Sequence, residues 1–244
     1  MNSLIISNLT LDSFNNIYVC NYTPLKNRRD NMIQQCLKYN ISNKLVFINE
    51  YDREHLKSEQ LKPFDTSKMK MAEISLFNKH MYAMAKIIDS GKPYGIIMED
   101  DVIFKDNFKN NFNKILKTIP TNFDILYTGH FPFQVHYNNI KKKITNPIPC
   151  SARRVGKFKE MSNVSVFPWS GNAKGTDFYI ISLKGCKKFM TMFNYFRENN
   201  IKILSPIDWF MGQMMIRGNT SIWWADEEIT YHGSLTCKFN SSIR

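Results

Sequence analysis

At 244 residues, with 43% hydrophobic and 22% charged content, the chain fits one soluble domain with a substantial buried core. No apolar stretch approaches the roughly 20 residues that span a bilayer, and five widely spaced cysteines without a CxxC pair argue against a zinc site or a disulfide framework. A net charge of +12 asks for an anionic partner such as nucleic acid, a membrane surface or a phosphate-bearing substrate.

Residues 1–16 carry no basic region ahead of the short apolar pair Ile5-Ile6, so they do not read as a signal peptide. With the scattered cysteines, this predicts a reducing, cytoplasmic location. Ile17-Tyr18-Val19-Cys20, closed by Asn21, is the first predicted strand. From Asn27 to Lys38 the spacing of Met32, Cys36 and Leu37 predicts a helix, and Leu45 to Asn49 a second strand. Tyr51 to Lys70 is polar, contains Pro63 and reads as a loop with broken helix. Met71 to Ser90 is a longer helix with Phe77, Met81, Met84, Ala85 and Ile88 on one face, stopped by Gly91-Lys92-Pro93. A strand follows, then a short amphipathic helix from Phe108 to Leu116 and a strand from Phe123 to Tyr127 that Asp124 interrupts. Residues 131–165, rich in Pro, Lys and Asn, are expected to form a mobile substrate loop. Phe178 to Ile181 is another strand and Leu183 to Arg197 another helix. This alternation predicts one α/β domain over residues 1–244, with a largely parallel sheet flanked by helices.

The strand after Pro93 carries the most chemistry. Gly95-Ile96-Ile97-Met98 runs into Glu99-Asp100-Asp101, and Val102-Ile103-Phe104 follows. Adjacent carboxylates repel one another, and desolvating them costs several kcal/mol each unless a cation or hydrogen bonds compensate. A divalent metal beyond the C-terminal end of a buried strand resolves this, because open α/β sheets bind ligands there. Strand alternation sends Glu99 and Asp101 to one face and Asp100 to the other. A solvated acidic turn is the competing reading, and the apolar flanks weigh against it. Basic clusters at Lys26 to Arg29, Lys141 to Lys143 and Arg153 to Lys159 come without a zinc finger, a helix-turn-helix or an RNP-like strand. Specific nucleic-acid recognition is therefore not expected.

Four blocks follow a pattern in order. Asn21, Arg28, Arg29 and Met32 fall in register with a strand ending in Asn-Leu and a basic helix start. Glu73-Ile74 and His80 match a Glu-Ile-Gly-Cys-x-Leu-Ser-His block, and Pro93 to Phe104 matches Pro-Tyr-Ala-Leu-Ile-Leu-Glu-Asp-Asp-Val-Ile-Phe almost throughout. Gly175-Thr176, Tyr179, Ile181-Ser182 and Gly185 match Gly-Thr-x-x-Tyr-x-Ile-Ser-x-x-Gly, and Pro206-Ile207-Asp208 stands where Pro-Val-Asp follows. In these blocks, spread over residues 17 to 210, the chain resembles glycosyltransferase family 25, the lipopolysaccharide and procollagen galactosyltransferase group. It departs at Tyr22, where the family has Leu, and at Pro24-Leu25, where the family has two basic residues. Ser75, Leu76, Asn78 and Lys79 replace the Gly, Cys, Leu and Ser of the second block. These departures bear on the donor sugar more than on the fold.

The resemblance implies a GT-A-type nucleotide-binding sheet and metal-dependent transfer of galactose or glucose from a UDP-sugar to a glycan or hydroxylysine-type acceptor. Mn²⁺ or Mg²⁺ would serve as the Lewis acid for the departing diphosphate, and Glu99 and Asp101 are the hard oxygen ligands such ions take. His232 is the candidate third ligand, a structural histidine being the alternative. Asp100 is a candidate for the donor ribose, or a plain solvated carboxylate. Arg28 and Arg29 can pair with the diphosphate or form a basic helix surface. Asn21 can bond the base or close a turn, and His80 can face the donor pocket or sit satisfied in the core. Inverting transfer needs a base; Asp208 is the candidate, its alternative being a helix N-cap, and Asp177 is the second choice. Trp169, Trp223 and Trp224 can stack on a sugar or pack in the core. The charge is also compatible with peripheral contact with an anionic membrane. Two classes compete with this reading: a basic nucleic-acid-binding or non-catalytic protein, and a nucleotidyltransferase that releases pyrophosphate.

Overall fold

Strand residues with period-two apolar faces and helices with apolar stripes assemble into one layered α/β structure. The computed structural model describes residues 8–117, 119, 122–128, 152–154, 175–217, 220–225, 229–234, 236 and 238–240. Its strands are β1 (Ile17–Cys20), β2 (Leu45–Ile48), β3 (Tyr94–Glu99), β4 (Val102–Phe104), β5 (Ile125–Tyr127), β6 (Ala152–Arg154), β7 (Phe178–Ser182), β8 (Ile222–Ala225) and β9 (Thr230–His232). Its α-helices are α1 (Lys26–Lys38), α2 (Ser58–Leu61), α3 (Met71–Ser90), α4 (Phe108–Leu116), α5 (Leu183–Glu198) and α6 (Ile207–Arg217).

The seven-stranded sheet has the order β2-β1-β3-β7-β5-β8-β6. β1 lies parallel to β2 and β3, and β5 parallel to β8, whereas β7 runs antiparallel to both its neighbours and β6 antiparallel to β8. The sheet is thus mixed rather than largely parallel. Apolar periodicity carries no strand direction; the connections set it. Apart from 152–154, which form β6 at the sheet edge, the expected loop at 131–165 lies outside the described residues.

Alternation along the strands builds two cores. Tyr18, Cys20, Ile97, Tyr127, Tyr179 and Ile181 pack with α3, α5 and α6 on one face. Ile17, Val19, Ile96, Met98, Leu126 and Ile180 pack on the other with residues of α1 and α4. On that second face Phe104, Phe108, Phe112 and Phe178 form an aromatic cluster, Phe104 and Phe108 stacking at 4.0 Å. Trp223 also packs against this core, with its indole N–H donating to Ser221 Oγ at 3.3 Å. Trp169 and the Trp224 side chain lie outside the described residues. Among the described residues, no helix is long and apolar enough to cross a membrane.

Local signals end the helices where they must. Gly91 closes α3 in the left-handed conformation at φ 63°, its N–H reaching Ile88 O at 3.0 Å. Ser182 caps α5 by accepting the Gly185 N–H at 2.9 Å. Asp124, which breaks an apolar strand, accepts from Lys188 Nζ at 2.6 Å and the Ser221 N–H at 2.7 Å, tying the entry of β5 to α5 and to the segment entering β8. A Cβ at Gly185 would lie 2.4 Å from the Asp124 carbonyl oxygen, because α5 starts directly against that strand. Gly185→Ala is therefore expected to cost about 1–3 kcal/mol. Thermal unfolding checks it, as a fall of about 2–4 °C per kcal/mol in a domain of this size; an unchanged midpoint would show that the helix can slide away.

Candidate metal centre

Everything in the site hangs on the end of β3. Glu99 is its last residue, and Asp100 and Asp101 turn the chain into β4. β4 pairs with β9 so that Val102 lies opposite His232, which brings a histidine from the far end of the chain to the acidic turn. The ligand atoms of Glu99, Asp101 and His232 all lie within 4.8 Å of one another. Asp101 Oδ1 and His232 Nδ1 are buried without a hydrogen-bond partner. His232 Nδ1 sits 3.3 Å from Asp101 Oδ2. Carboxylate oxygens and an imidazole nitrogen converging with unused lone pairs fit a divalent cation of the Mn²⁺ or Mg²⁺ type.

The turn is braced from both sides. Asp101 Oδ2 accepts from the Ser234 hydroxyl, and the Asp101 carbonyl accepts the Gly233 N–H at 2.8 Å. A Cβ on Gly233 would meet that carbonyl oxygen at 2.5 Å, so only glycine lets the chain leaving β9 pass this close. Asp100 turns toward α1 and the segment after β1. It accepts Arg28 Nη1 at 2.7 Å and the Tyr22 N–H at 2.7 Å. Burial pushes its carboxyl up to about 6, against the pull of Arg28.

Arg28, read from the sequence as a diphosphate ligand, is 3% exposed and directs its guanidinium at the acids, Ser234 and the Asn240 carbonyl. Arg29 stacks on Phe47 at 4.0 Å and reaches Asn49 Oδ1 at 3.3 Å, beside β2. Asn21 is buried; its N–H donates to Ile48 O at 3.3 Å and its side-chain amide to Asn49 Oδ1 at 2.9 Å, so it joins the ends of β1 and β2.

Glu99 faces α3. The Thr176 hydroxyl donates to its Oε1 at 2.8 Å, and His80 Nε2 lies 3.8 Å from the same oxygen. Burial alone would push the Glu99 carboxyl up, but the imidazoles of His80 and His232, with Thr176, outweigh it and hold it at about 2. His80 is fully buried behind Glu99, with Nδ1 at 2.9 Å from the Tyr179 hydroxyl and its ring stacked on that tyrosine.

Asp208 lies in the first turn of α6, on the Glu99 side of the sheet, and its Oδ1 accepts the Trp209 N–H at 2.8 Å. Burial raises its carboxyl to about 6, and the charge on Glu99 adds to the rise. Asp177 is buried, and its carbonyl takes the Glu99 N–H at 2.9 Å, locking the start of β7 to the end of β3. The pocket beside the acids is also walled by Tyr22, Arg53, Ser75 and Lys79, none of which sequence reading proposed as site residues. The only signal they carried was that three of them depart from the family pattern.

Against this geometry stand the similarities to known proteins. The family model described as Glycosyltransferase family 25 (LPS biosynthesis protein) matches residues 14–211. Human procollagen galactosyltransferase 2 is 24% identical over 216 residues, covering 82% of this chain and 30% of that protein. Zebrafish procollagen galactosyltransferase 1 is 20% identical over 216 residues, covering 82% of this chain and 31% of that one. The chain therefore spans about 30% of the length of these curated relatives. The apo crystal structure of mouse xyloside xylosyltransferase 1 overlays with a TM-score of 0.42 at 10% identity, covering 96% of this chain and 92% of that one.

Proposed function

The chain belongs to glycosyltransferase family 25, and on that footing we propose that it moves a hexose, galactose in the first instance, from a UDP-sugar to a glycan or hydroxylysine-type acceptor. One observation carries the reading: Glu99, Asp101 and His232 place their ligand atoms within 4.8 Å of one another at the end of a buried strand. These three residues would hold Mn²⁺ or Mg²⁺. Such an ion, when bound, supplies Lewis-acid stabilisation to the departing nucleoside diphosphate.

The remaining roles belong to the protein's own groups. Thr176 and His80 orient Glu99 from behind, and Arg28 pins the turn by holding Asp100. In this reading Arg28 positions the acids instead of meeting the diphosphate. Asp208 takes the proton of the acceptor hydroxyl. With its carboxyl at about 6, it is ionised at neutral pH yet basic enough for the transfer.

A thermal-shift screen of nucleotide sugars with and without Mn²⁺ tests the assignment. UDP-galactose at about a hundred times its Kd, with Mn²⁺, is expected to raise the midpoint by about 5–10 °C and to do little without metal. A shift with DNA or RNA, lost at high salt and indifferent to Mn²⁺ and UDP, would return the protein to the nucleic-acid class. Pyrophosphate release from a nucleoside triphosphate would make it a nucleotidyltransferase.

A further inference from the structure

Four residues that depart from the family pattern, Tyr22, Ser75, Leu76 and Lys79, line the acidic pocket. Ser75 and Lys79 stand one turn apart on α3 and clamp the segment after β2. The Ser75 hydroxyl donates to Tyr51 O at 2.6 Å. Lys79 Nζ donates to Ile48 O at 3.1 Å, Glu50 O at 2.6 Å and Asp52 Oδ1 at 2.8 Å, which uses all three of its N–H groups. Tyr51, held in the left-handed conformation at φ 67°, sits inside this clamp. The clamped segment leads straight into Arg53 and Glu54.

Those two residues and Tyr22 form one unit at the pocket mouth. The Arg53 guanidinium lies 4.5 Å over the Tyr22 ring, Arg53 Nε donates to Glu54 Oε1 at 2.8 Å, and the Tyr22 hydroxyl donates to the same oxygen at 2.5 Å. The Tyr22 N–H itself donates to Asp100 Oδ2 at 2.7 Å, so the residue that carries the ring is tied directly to the acidic turn.

We propose that Tyr22, Arg53 and Glu54 are the nucleoside subsite of the donor pocket, held in place by the Ser75 and Lys79 clamp and selecting the base of the donor. The proposal rests on the donor reading above. An aromatic ring stacked with a guanidinium offers flat surfaces, and every nucleobase has a π-face to lay on them. A carboxylate at its edge accepts from ring and exocyclic N–H groups. Hydrogen bonds from Tyr22 and Arg53 hold the Glu54 carboxyl at about 2 and fix the carboxylate at the edge of the ring. The wall therefore suits the base, while the diphosphate falls to the acidic end, where a bound cation would offset the carboxylates.

Calorimetric titration of the full chain with UDP and, separately, with inorganic pyrophosphate, both with Mn²⁺ present, separates the two parts of the pocket. Tyr22→Leu restores the residue of the family pattern and keeps the backbone N–H to Asp100; Arg53→Ala removes the stacked cation. Each is expected to weaken UDP by about tenfold or more, from the alanine-scanning range for a stacked base, with pyrophosphate and Mn²⁺ affinities unchanged. Equal loss for UDP and pyrophosphate, or no loss for UDP, overturns the subsite. Wild-type protein that binds pyrophosphate as tightly as UDP also overturns it while leaving the metal and diphosphate reading intact. Wild-type protein that binds neither takes down both.

Discussion

Asp101→Asn is expected to lower hexosyl transfer by about 10²–10³-fold while the protein remains folded. Asp101 keeps one buried oxygen without a partner; the other takes the Ser234 hydroxyl and lies 3.7 Å from Arg28 Nη1, whose nearer partner is Asp100 at 2.7 Å, so much of its charge is left for the other candidate ligands. Asparagine preserves the shape and can still accept from Ser234, but it removes the anion that a hard cation requires. Steady-state transfer assays, Mn²⁺ titration of the apoprotein and thermal unfolding on the same preparation give the three readouts. Loss of turnover and of Mn²⁺ affinity with a retained cooperative melt is the expected pattern. Near-normal turnover in the variant would remove Asp101 from the metal site.

Asp208→Asn should lower kcat by about 10²–10⁴-fold and change the donor KM little, because a general base acts on the acceptor and not on donor binding. The wild-type profile supplies an independent check. Burial raises the Asp208 carboxyl to about 6, so the ionised base is lost as pH falls through that value, and roughly a tenth of it remains one pH unit lower. A folded pKa above the unfolded one means that protonation favours the folded state; this group's contribution to stability grows as pH falls through about 6. The acid limb of activity is thus separable from acid unfolding. In the Asn variant that limb should disappear. A variant with most of its activity and an unaltered acid limb would leave Asp208 only its backbone bond to Trp209, as part of the helix start.

Much of the fold was readable because apolar periodicity is a local property. The helix expected at Met71 to Ser90 has those ends in the structure, since Lys70 and Glu73 start it and Gly91 stops it. Strand direction was not readable, and β7 runs against its neighbours where a largely parallel sheet was expected. The aromatic reading of Trp223 gave way to packing, since a partly buried indole contributes most by filling the second core. Arg28 shows the limit for single residues. Its charge suited a phosphate, but a buried guanidinium beside two aspartates is held by whichever anions the fold places nearest.

The sequence by itself determined that three carboxylates would stand at the end of an apolar strand, and that alternation would part Asp100 from its neighbours. Tertiary structure alone decided what completes that set. His232 reaches the acids only because β9 pairs with β4, Tyr22 and Arg53 meet only because α3 clamps the segment after β2, and Asp208 feels the charge of Glu99 only through the packing of α6. Such contacts join segments far apart in the chain, and their energies depend on burial and geometry that no local pattern encodes.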